Sequence, residues 1–332
     1  MPLNEFERIS RFFKPLAEGF AGALGLTDDA ALLTCPKNME MVVTTDAMVE
    51  GIHFQASDNA QSIAMRLLRS NLSDLAAMGA EPYAYTLVTS LPDRIDEAWL
   101  EAFAGTLGAD QKRYGIVLAG GDSTRTQGPI TLAITAFGLV PKGAALKRRA
   151  ELPKAQPAQL YVSGTIGDSF LGLQILLGKL ECPDLSKEDK DYLINSHYQP
   201  EPRLALGKAL RGIALAAIDI SDGLAADVAH IAELSCGEVL LEADKIPLSL
   251  PAKKILFKQP ELLLHLITGG EDYELAFVTE SKNKQAVTVL AAELNAPLTR
   301  IGQIQAAAKG NAKVIDSNGQ EINLKQKGWI HF

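Results

Sequence analysis

Along almost the whole chain, apolar segments with a period of two alternate with segments whose apolar residues recur every three to four positions. A chain patterned this way layers helices against sheets, and the expected class is α/β, shading into α+β. Residues Met39–Met48, "MEMVVTTDAM", are rich in β-branched side chains and predict a strand. Residues 62–78 then carry Ile63, Leu67, Leu68, Leu72, Leu75 and Met78 at helical spacing. A strand is expected at Tyr83–Ser90, a helix around Trp99, Phe103 and Leu107, a short strand at Ile116–Leu118 and a long one at Ile130–Val140. Lys142–Gln159, with Gly143, Pro153 and Pro157 among basic and small residues, reads as a linker. A second unit opens with "QLYVSGTIGDSFLGLQILLGKL", a strand, a glycine turn and a helix, and closes in a hairpin whose Asn318-Gly319 pair suits a tight primed turn. With 332 residues there is length for two domains, expected at 1–142 and 143–332, each with its own core.

A content of 47% hydrophobic and 22% charged residues is a globular balance. The net charge of -8 argues against nucleic acid or an anionic membrane as partner, and only "LKRRA" at Leu146–Ala150 is locally basic. Cys35, Cys182 and Cys236 are odd in number and widely spaced, which suggests neither a disulfide framework nor a zinc site. A soluble protein of the reducing cytoplasm is expected, since "MPLNEFERISRFF" lacks signal architecture and nowhere do eighteen apolar residues run together.

Acids collect where strands end. Asp219 and Asp222 lie in "IDISDGL", Asp28 and Asp29 in "LTDDAALL", Asp46 in "TTDAMVEGIHF", and Asp122 in "LAGGDST". Helix capping accounts for Ser221 and Asp222 as readily as function does. It leaves Asp219 unexplained, and the period of two would put Asp219 and Ser221 on one strand face. Gly-Gly-Asp is usually a turn. Asp74, between Leu72 and Leu75, sits mid-helix, where aspartate is poor helix chemistry. Two carboxylates about 5 Å apart repel by roughly 3 kcal/mol at an effective dielectric of about 20, so a convergence of such acids demands protons or cations. With Thr44, Thr45 and Ser221 nearby and no histidine or cysteine pair, the donors are all oxygen, which favours magnesium over zinc. Magnesium held by a few carboxylates usually bridges phosphate, yet neither a G-x-x-x-x-G-K-[ST] loop nor the protein-kinase motifs occur.

Together, "TTDAMVEGIHF", "NLSDLAAMGA", "GGDST", "IDISDGL" and "GGEDYEL" resemble the thiamine-monophosphate kinases, members of the aminoimidazole-ribonucleotide-synthetase-like ATP-binding superfamily. The likeness runs from "DDAALL" to the closing "KGWIHF". It implies a two-domain synthetase-like fold and a homodimer, in which the N-terminal domain forms an intersubunit β-barrel and the C-terminal α/β domain closes over nucleotide and substrate. It also implies transfer of the γ-phosphoryl group of ATP to thiamine monophosphate, with magnesium as cofactor. Carried over by position, Asp29, Thr44, Thr45, Asp46, Asp74, Asp122, Asp219 and Asp222 would hold magnesium, and Asp46, Asp74, Asp122 and Asp219 would carry the catalytic load. Tyr114, Gly121, Asp122, Arg148 and Ser221 would contact ATP, and His53, Glu271 and Trp329 the thiamine moiety. Two departures stand out: Thr27 occupies a position the family usually gives to glycine, and "KAQPAQ" replaces its usual "KPGD" turn.

The implied chemistry needs no general base, because the acceptor phosphate has a second pKa near about 6 and is already ionised at neutral pH. Direct in-line transfer without a phosphoenzyme is expected, and the five histidines are free of any proton-transfer duty. Two other readings compete: a superfamily synthetase with a different acceptor, and a protein that binds metal or nucleotide without turnover.

Overall fold

The structure, a computed structural model, describes residues 5–324 and residue 328. The chain divides into two compact units. One holds the residues up to Leu75 together with Ala80–Gly143; the other holds Ala76–Gly79 and the residues from Ala144 onward.

The first unit opens with a short helix α1 (Glu5–Arg8), then π and 3-10 turns through Leu26. Strands β1 (Met39–Val49), β2 (Glu81–Leu91), β3 (Val117–Arg125) and β4 (Thr131–Pro141) form a sheet of order β1-β4-β2-β3, with helices α2 (Ala60–Ala77) and α3 (Glu97–Tyr114) in the connections. Only the β2/β3 pair is parallel, and its crossover is α3, which Asp96 caps by accepting from the Trp99 N–H at 2.8 Å. The sheet has one buried face. Leu132, Ile134 and Ala136 of β4 stand in register with Met48, Asp46 and Thr44 of β1, and all point toward the helices. Leu75 of α2 lies 3.0 Å from where a Cβ on Gly138 would sit, and the Tyr85 hydroxyl meets Gln111 of α3 at 3.0 Å. The opposite face is open, with Val43 and Val88 56% and 41% exposed.

Gly-Gly-Asp is no turn here. Strand β3 runs straight through it, because a register shift at Tyr85/Thr86 takes up Ala119 and the missing side chain of Gly121 lets the two backbones close. A Cβ on Gly121 would sit 1.9 Å from the Leu87 carbonyl oxygen.

The second unit is built on a seven-stranded mixed sheet of order β11-β10-β7-β9-β5-β8-β6. Its strands are β5 (Ala158–Ser163), β6 (Ala214–Asp219), β7 (Gly237–Glu242), β8 (Leu275–Thr279), β9 (Leu298–Ala306), β10 (Asn311–Ile315) and β11 (Glu321–Ile322). Its helices are α4 (Asp168–Leu176), α5 (Lys187–Tyr198), α6 (Leu204–Ala209), α7 (Leu224–Leu234), α8 (Leu250–Lys258), α9 (Leu262–Thr268) and α10 (Lys284–Glu293). Both faces of the central strands are covered, so every residue of β8 is buried. Leu160, Val162, Ile218 and Ala276 pack with Leu224, Val228 and Ile231 of α7; Tyr161, Ala217 and Phe277 pack on the other face with Leu206 of α6 and Leu210 just after it. A third cluster joins Leu171, Leu193, Ile255 and Leu266 from the helices around α4.

Three sequence expectations need correction. Much of the stretch read as a linker is tied down: the Lys147 carbonyl accepts from the Ala217 N–H of edge strand β6 at 3.0 Å, and the Ala150 N–H donates to Ser235 Oγ at 2.9 Å. The closing hairpin is wider than a two-residue primed turn, because Asp316 Oδ1 accepts the N–H groups of Asn318 and Gln320 at 2.9 and 2.8 Å and organises a longer loop. Strand β6 ends at Asp219, so Ser221 does not share its strand face.

Candidate active site

In the first unit the buried face of β1 brings hydroxyls and acids together. Thr44 Oγ1 donates to Asp74 Oδ2 at 2.5 Å, linking the strand to the last turn of α2. Burial pushes the Asp46 carboxyl above its ordinary range, opposed by a hydrogen bond from Ser70 of α2. Asn71, fully buried one turn before Asp74, gives its amide N–H to the Leu67 carbonyl at 2.9 Å, while its Oδ1 accepts from no described group. Asp46, Asp74, Thr44 and the undonated Asn71 Oδ1 are all hard oxygen donors, the kind that suits a magnesium ion.

The other expected ligands of this unit lie elsewhere. Thr45 points to the open face and meets Thr135 Oγ1 at 2.9 Å, and Asp122, in register with Val88, is exposed on that same face. Gly121 shares the strand row of Leu87 and Asp46, and its close approach to Leu87 accounts for a glycine there. Asp28 and Asp29 are exposed on the irregular segment after Leu26. Thr27 takes φ -117°, open to any residue, and Thr27 Oγ1 donates to the Leu24 carbonyl at 2.8 Å, so nothing in this backbone requires glycine there. His53 is fixed in its turn, its Nδ1 accepting from the Val49 N–H at 3.1 Å and its carbonyl from Arg66 at 2.7 Å. Tyr114, at the end of α3, has the Arg69 and Arg113 guanidinium groups 5.5 and 5.0 Å from its ring centroid. A cleft of about 240 Å³ beside His53, lined by Phe54, Asp58, Arg94 and Trp99, includes none of the expected site residues.

In the second unit two loops are laced together. The Glu271 and Tyr273 N–H groups donate to the Ser221 and Ile220 carbonyls, and the Ile220 N–H donates to the Glu274 carbonyl, each at 2.8 Å. That closeness needs glycine: a Cβ on Gly270 would lie 2.1 Å from the Ser221 oxygen. "IDISDG" and "GGEDYE" therefore form one acidic rim carrying buried Asp219, half-buried Asp222 and Glu271.

Neither Ser221 nor Asp222 caps α7. The residue that organises this junction is Asp227, inside the helix and 3% exposed, whose Oδ2 accepts the N–H groups of Ser221, Asp222 and Gly223 at 3.0, 3.1 and 3.1 Å. Burial, with Asp222 nearby, pushes its carboxyl up to about 7. The other loop is anchored the same way. Both Asp272 oxygens accept the Gly167 N–H at 3.0 and 2.9 Å, and burial raises this carboxyl well above its ordinary range. Glu274 takes a bidentate pair from Arg203 and a 2.5 Å hydrogen bond from Ser163. Glu271 Oε2 lies 3.3 Å from His197 Nδ1. Arg148 is exposed beside the Lys147 carbonyl that pairs with β6. Trp329 lies outside the described residues; its neighbour Gly328 packs so tightly that a Cβ there would come 2.7 Å from the Asp222 oxygen.

Among the described residues, no three acids, histidines or cysteines stand together as a ready-made metal cage. The acids are distributed as pairs and small groups ringed by hydroxyls and amides.

Residues 27–140 match the family model described as AIR synthase related protein, N-terminal domain. Over 335 residues the chain is 40% identical to the thiamine-monophosphate kinase of Escherichia coli (strain K12), covering 100% of this chain and 99% of the relative. The chain belongs to the thiamine-monophosphate kinase family. Thiamine-monophosphate kinase from Stenotrophomonas maltophilia has a crystal structure that matches with a TM-score of 0.82 at 40% identity, covering 97% of this chain and 99% of that one. A structure of AaThiL complexed with AMPPCP and TMP matches with a TM-score of 0.77 at 26% identity, covering 100% and 99%. The hydrogenase maturation protein HypE shares the fold at 17% identity and a TM-score of 0.76, covering 97% and 94%.

Asp227, Glu274, Arg203 and His197 are the site's supports that sequence reasoning missed or left idle, while Asp272 has the structural part its sequence context suggests. For Asp227 no special signal was present, because an aspartate in the first turn of a helix is ordinary dipole chemistry.

Proposed function

We infer that this protein phosphorylates thiamine monophosphate to thiamine diphosphate at the expense of ATP. The observation that carries the inference is full-length relationship to thiamine-monophosphate kinases, joined to acid groups whose donors are all oxygen. Thr44, Asp46 and Asp74 on the buried face of the first unit, and Asp219 and Asp222 on the acidic rim of the second, are the candidate ligands of magnesium, which when bound neutralises phosphate charge and supports in-line displacement; Asp29, Thr45 and Asp122 rest on the family likeness alone.

The chain's own groups position and exclude. Tyr114, Gly121, Arg148 and Ser221 serve the nucleotide, and His53, Glu271 and Trp329 the thiamine moiety. Asp227 holds the backbone that presents Ser221 and Asp222. The acceptor oxygen is already ionised, so no residue is needed to take a proton from it.

A homodimer completes this reading. The open face of the four-stranded sheet exposes Val43 and Val88 among Thr45, Ala47, Thr86 and Asp122, and a second copy closing a barrel would cover the two valines. Sedimentation should give twice the monomer mass, and Val43→Lys should shift it toward monomer. The activity itself is tested by incubation with ATP, magnesium and thiamine monophosphate. Appearance of thiamine diphosphate supports the reading; ATP hydrolysis stimulated only by another metabolite, or binding without turnover, overturns it.

A further inference from the structure

We propose that His197 is a positioning residue for Glu271, holding that carboxylate in the one orientation that receives the heterocyclic part of the substrate. The proposal rests on the reading of Glu271 as a substrate contact and goes a step further, to what makes that contact selective.

Three acids lie in the "GGEDYE" loop, and each has a different attachment. Asp272 is bonded to the Gly167 N–H and Glu274 to Arg203 and Ser163, so these two fasten the loop to the fold. Glu271 keeps 29% of its side chain exposed, against 8% for Glu274. Its backbone adopts φ +67°, a conformation that non-glycine residues take only when their surroundings impose it, and its N–H is held by Ser221. The backbone at this position is thus fixed, and what remains to be set is the side chain.

His197 does that from α5. It is 3% exposed, with Nδ1 3.3 Å from Glu271 Oε2 and 3.2 Å from Ser169 Oγ. An ionised carboxylate oxygen only accepts, so the contact is favourable when Nδ1 bears the hydrogen, shared between Glu271 and the Ser169 oxygen. Ser169 alone would satisfy a histidine that merely filled the core. The approach of Glu271 gives the buried ring a second partner on the substrate-facing loop, 74 residues away in sequence by the numbering of the two positions. A carboxylate anchored through one oxygen presents a defined direction to an N–H or a cationic ring, whereas an unanchored glutamate samples several rotamers and discriminates less.

Steady-state kinetics on the full chain test this, with ATP, magnesium and thiamine monophosphate varied in turn. In His197→Asn the amide nitrogen falls near the place of Nδ1, and KM for thiamine monophosphate should stay within about threefold of the parent. His197→Leu and His197→Gln remove the donor from that place and should raise that KM about tenfold or more, leaving KM for ATP within about twofold. Adding His197→Leu to Glu271→Gln should bring no rise beyond that of Glu271→Gln alone, since the histidine acts only through that carboxylate. Equal losses for both substrates, an asparagine variant as impaired as the leucine one, or multiplying effects in the double variant would each overturn the proposal. If His197→Leu does not fold, His197→Gln carries the comparison. Should Glu271→Gln raise the KM while both histidine changes leave it unmoved, positioning alone is refuted. Should Glu271→Gln leave it unmoved, the substrate role of Glu271 fails first and the proposal falls with it.

Discussion

The two units hold their acids in contrasting ways. In the first, Asp46 stands mid-strand and Asp74 in the last turn of α2, and their partners are the hydroxyls of Ser70 and Thr44. In the second, Asp227 in the first turn of α7 and Asp272 on its loop both reach over to loop backbone, and their partners are N–H groups. An acid whose partners are side-chain hydroxyls adds little to the fold. An acid bonded to a loop's backbone shapes the loop, so chemistry and architecture cannot be separated there.

Substitutions can break or sharpen that contrast. The largest expected effect is on turnover: Asp46→Asn should lower kcat by about a thousandfold or more while the unfolding midpoint stays level or rises, because a buried carboxylate is relieved of its charge. A parallel collapse of stability would erase the distinction. Asp227→Ala should do the opposite in kind, costing about 2–4 kcal/mol in denaturant unfolding as three N–H groups lose their acceptor. Proton linkage gives the next effect. With a folded pKa of about 7 against an ordinary 3.8, Asp227 binds a proton in the native chain that the unfolded chain releases. Its contribution therefore falls as pH rises between those values, by up to about 1.4 kcal/mol per unit of pKa difference. Asp46, Asp168 and Asp272 are raised too and shift stability in the same direction. Denaturant midpoints measured from pH 4 to 7 should decline, and Asp227→Asn should flatten part of the slope; a midpoint that climbs over this interval would contradict the assignment. The smallest effect belongs to Thr27→Gly, which restores the residue usual in the family. It should destabilise by no more than about 1 kcal/mol, through lost backbone restraint and the lost hydroxyl bond to Leu24. A gain in stability would show that position 27 wants glycine after all.

The same contrast explains what the amino-acid order disclosed. Periodicity located β1, α2, β2, α3 and β4 to within a few residues, and the anomaly of an aspartate between Leu72 and Leu75 pointed to Asp74 before its partner was known. Strand β3 was misjudged at its far end because Gly120 and Gly121 carry turn chemistry locally, while the closeness that demands glycine is to Leu87, a distant residue. Asp227 escapes the logic applied to Asp74, because an acid in the first turn of a helix is ordinary. The structural part of Asp272 was legible but its partner was not, and nothing near His197 or Arg203 in sequence signals a partner; Arg203 and Glu274 meet across 71 positions and Gly167 and Asp272 across 105. Loop architecture is written in such distant pairs, which no local pattern encodes.

The pairing of Lys147 with Ala217 has a consequence for life in a crowded solution. Strand β6 ends its sheet, and a bare terminal strand is an invitation for foreign chains to stack alongside it and begin a fibre. With that lateral donor already taken by its own polypeptide, the border is partly sealed, and the apolar run behind it stays out of reach of strangers.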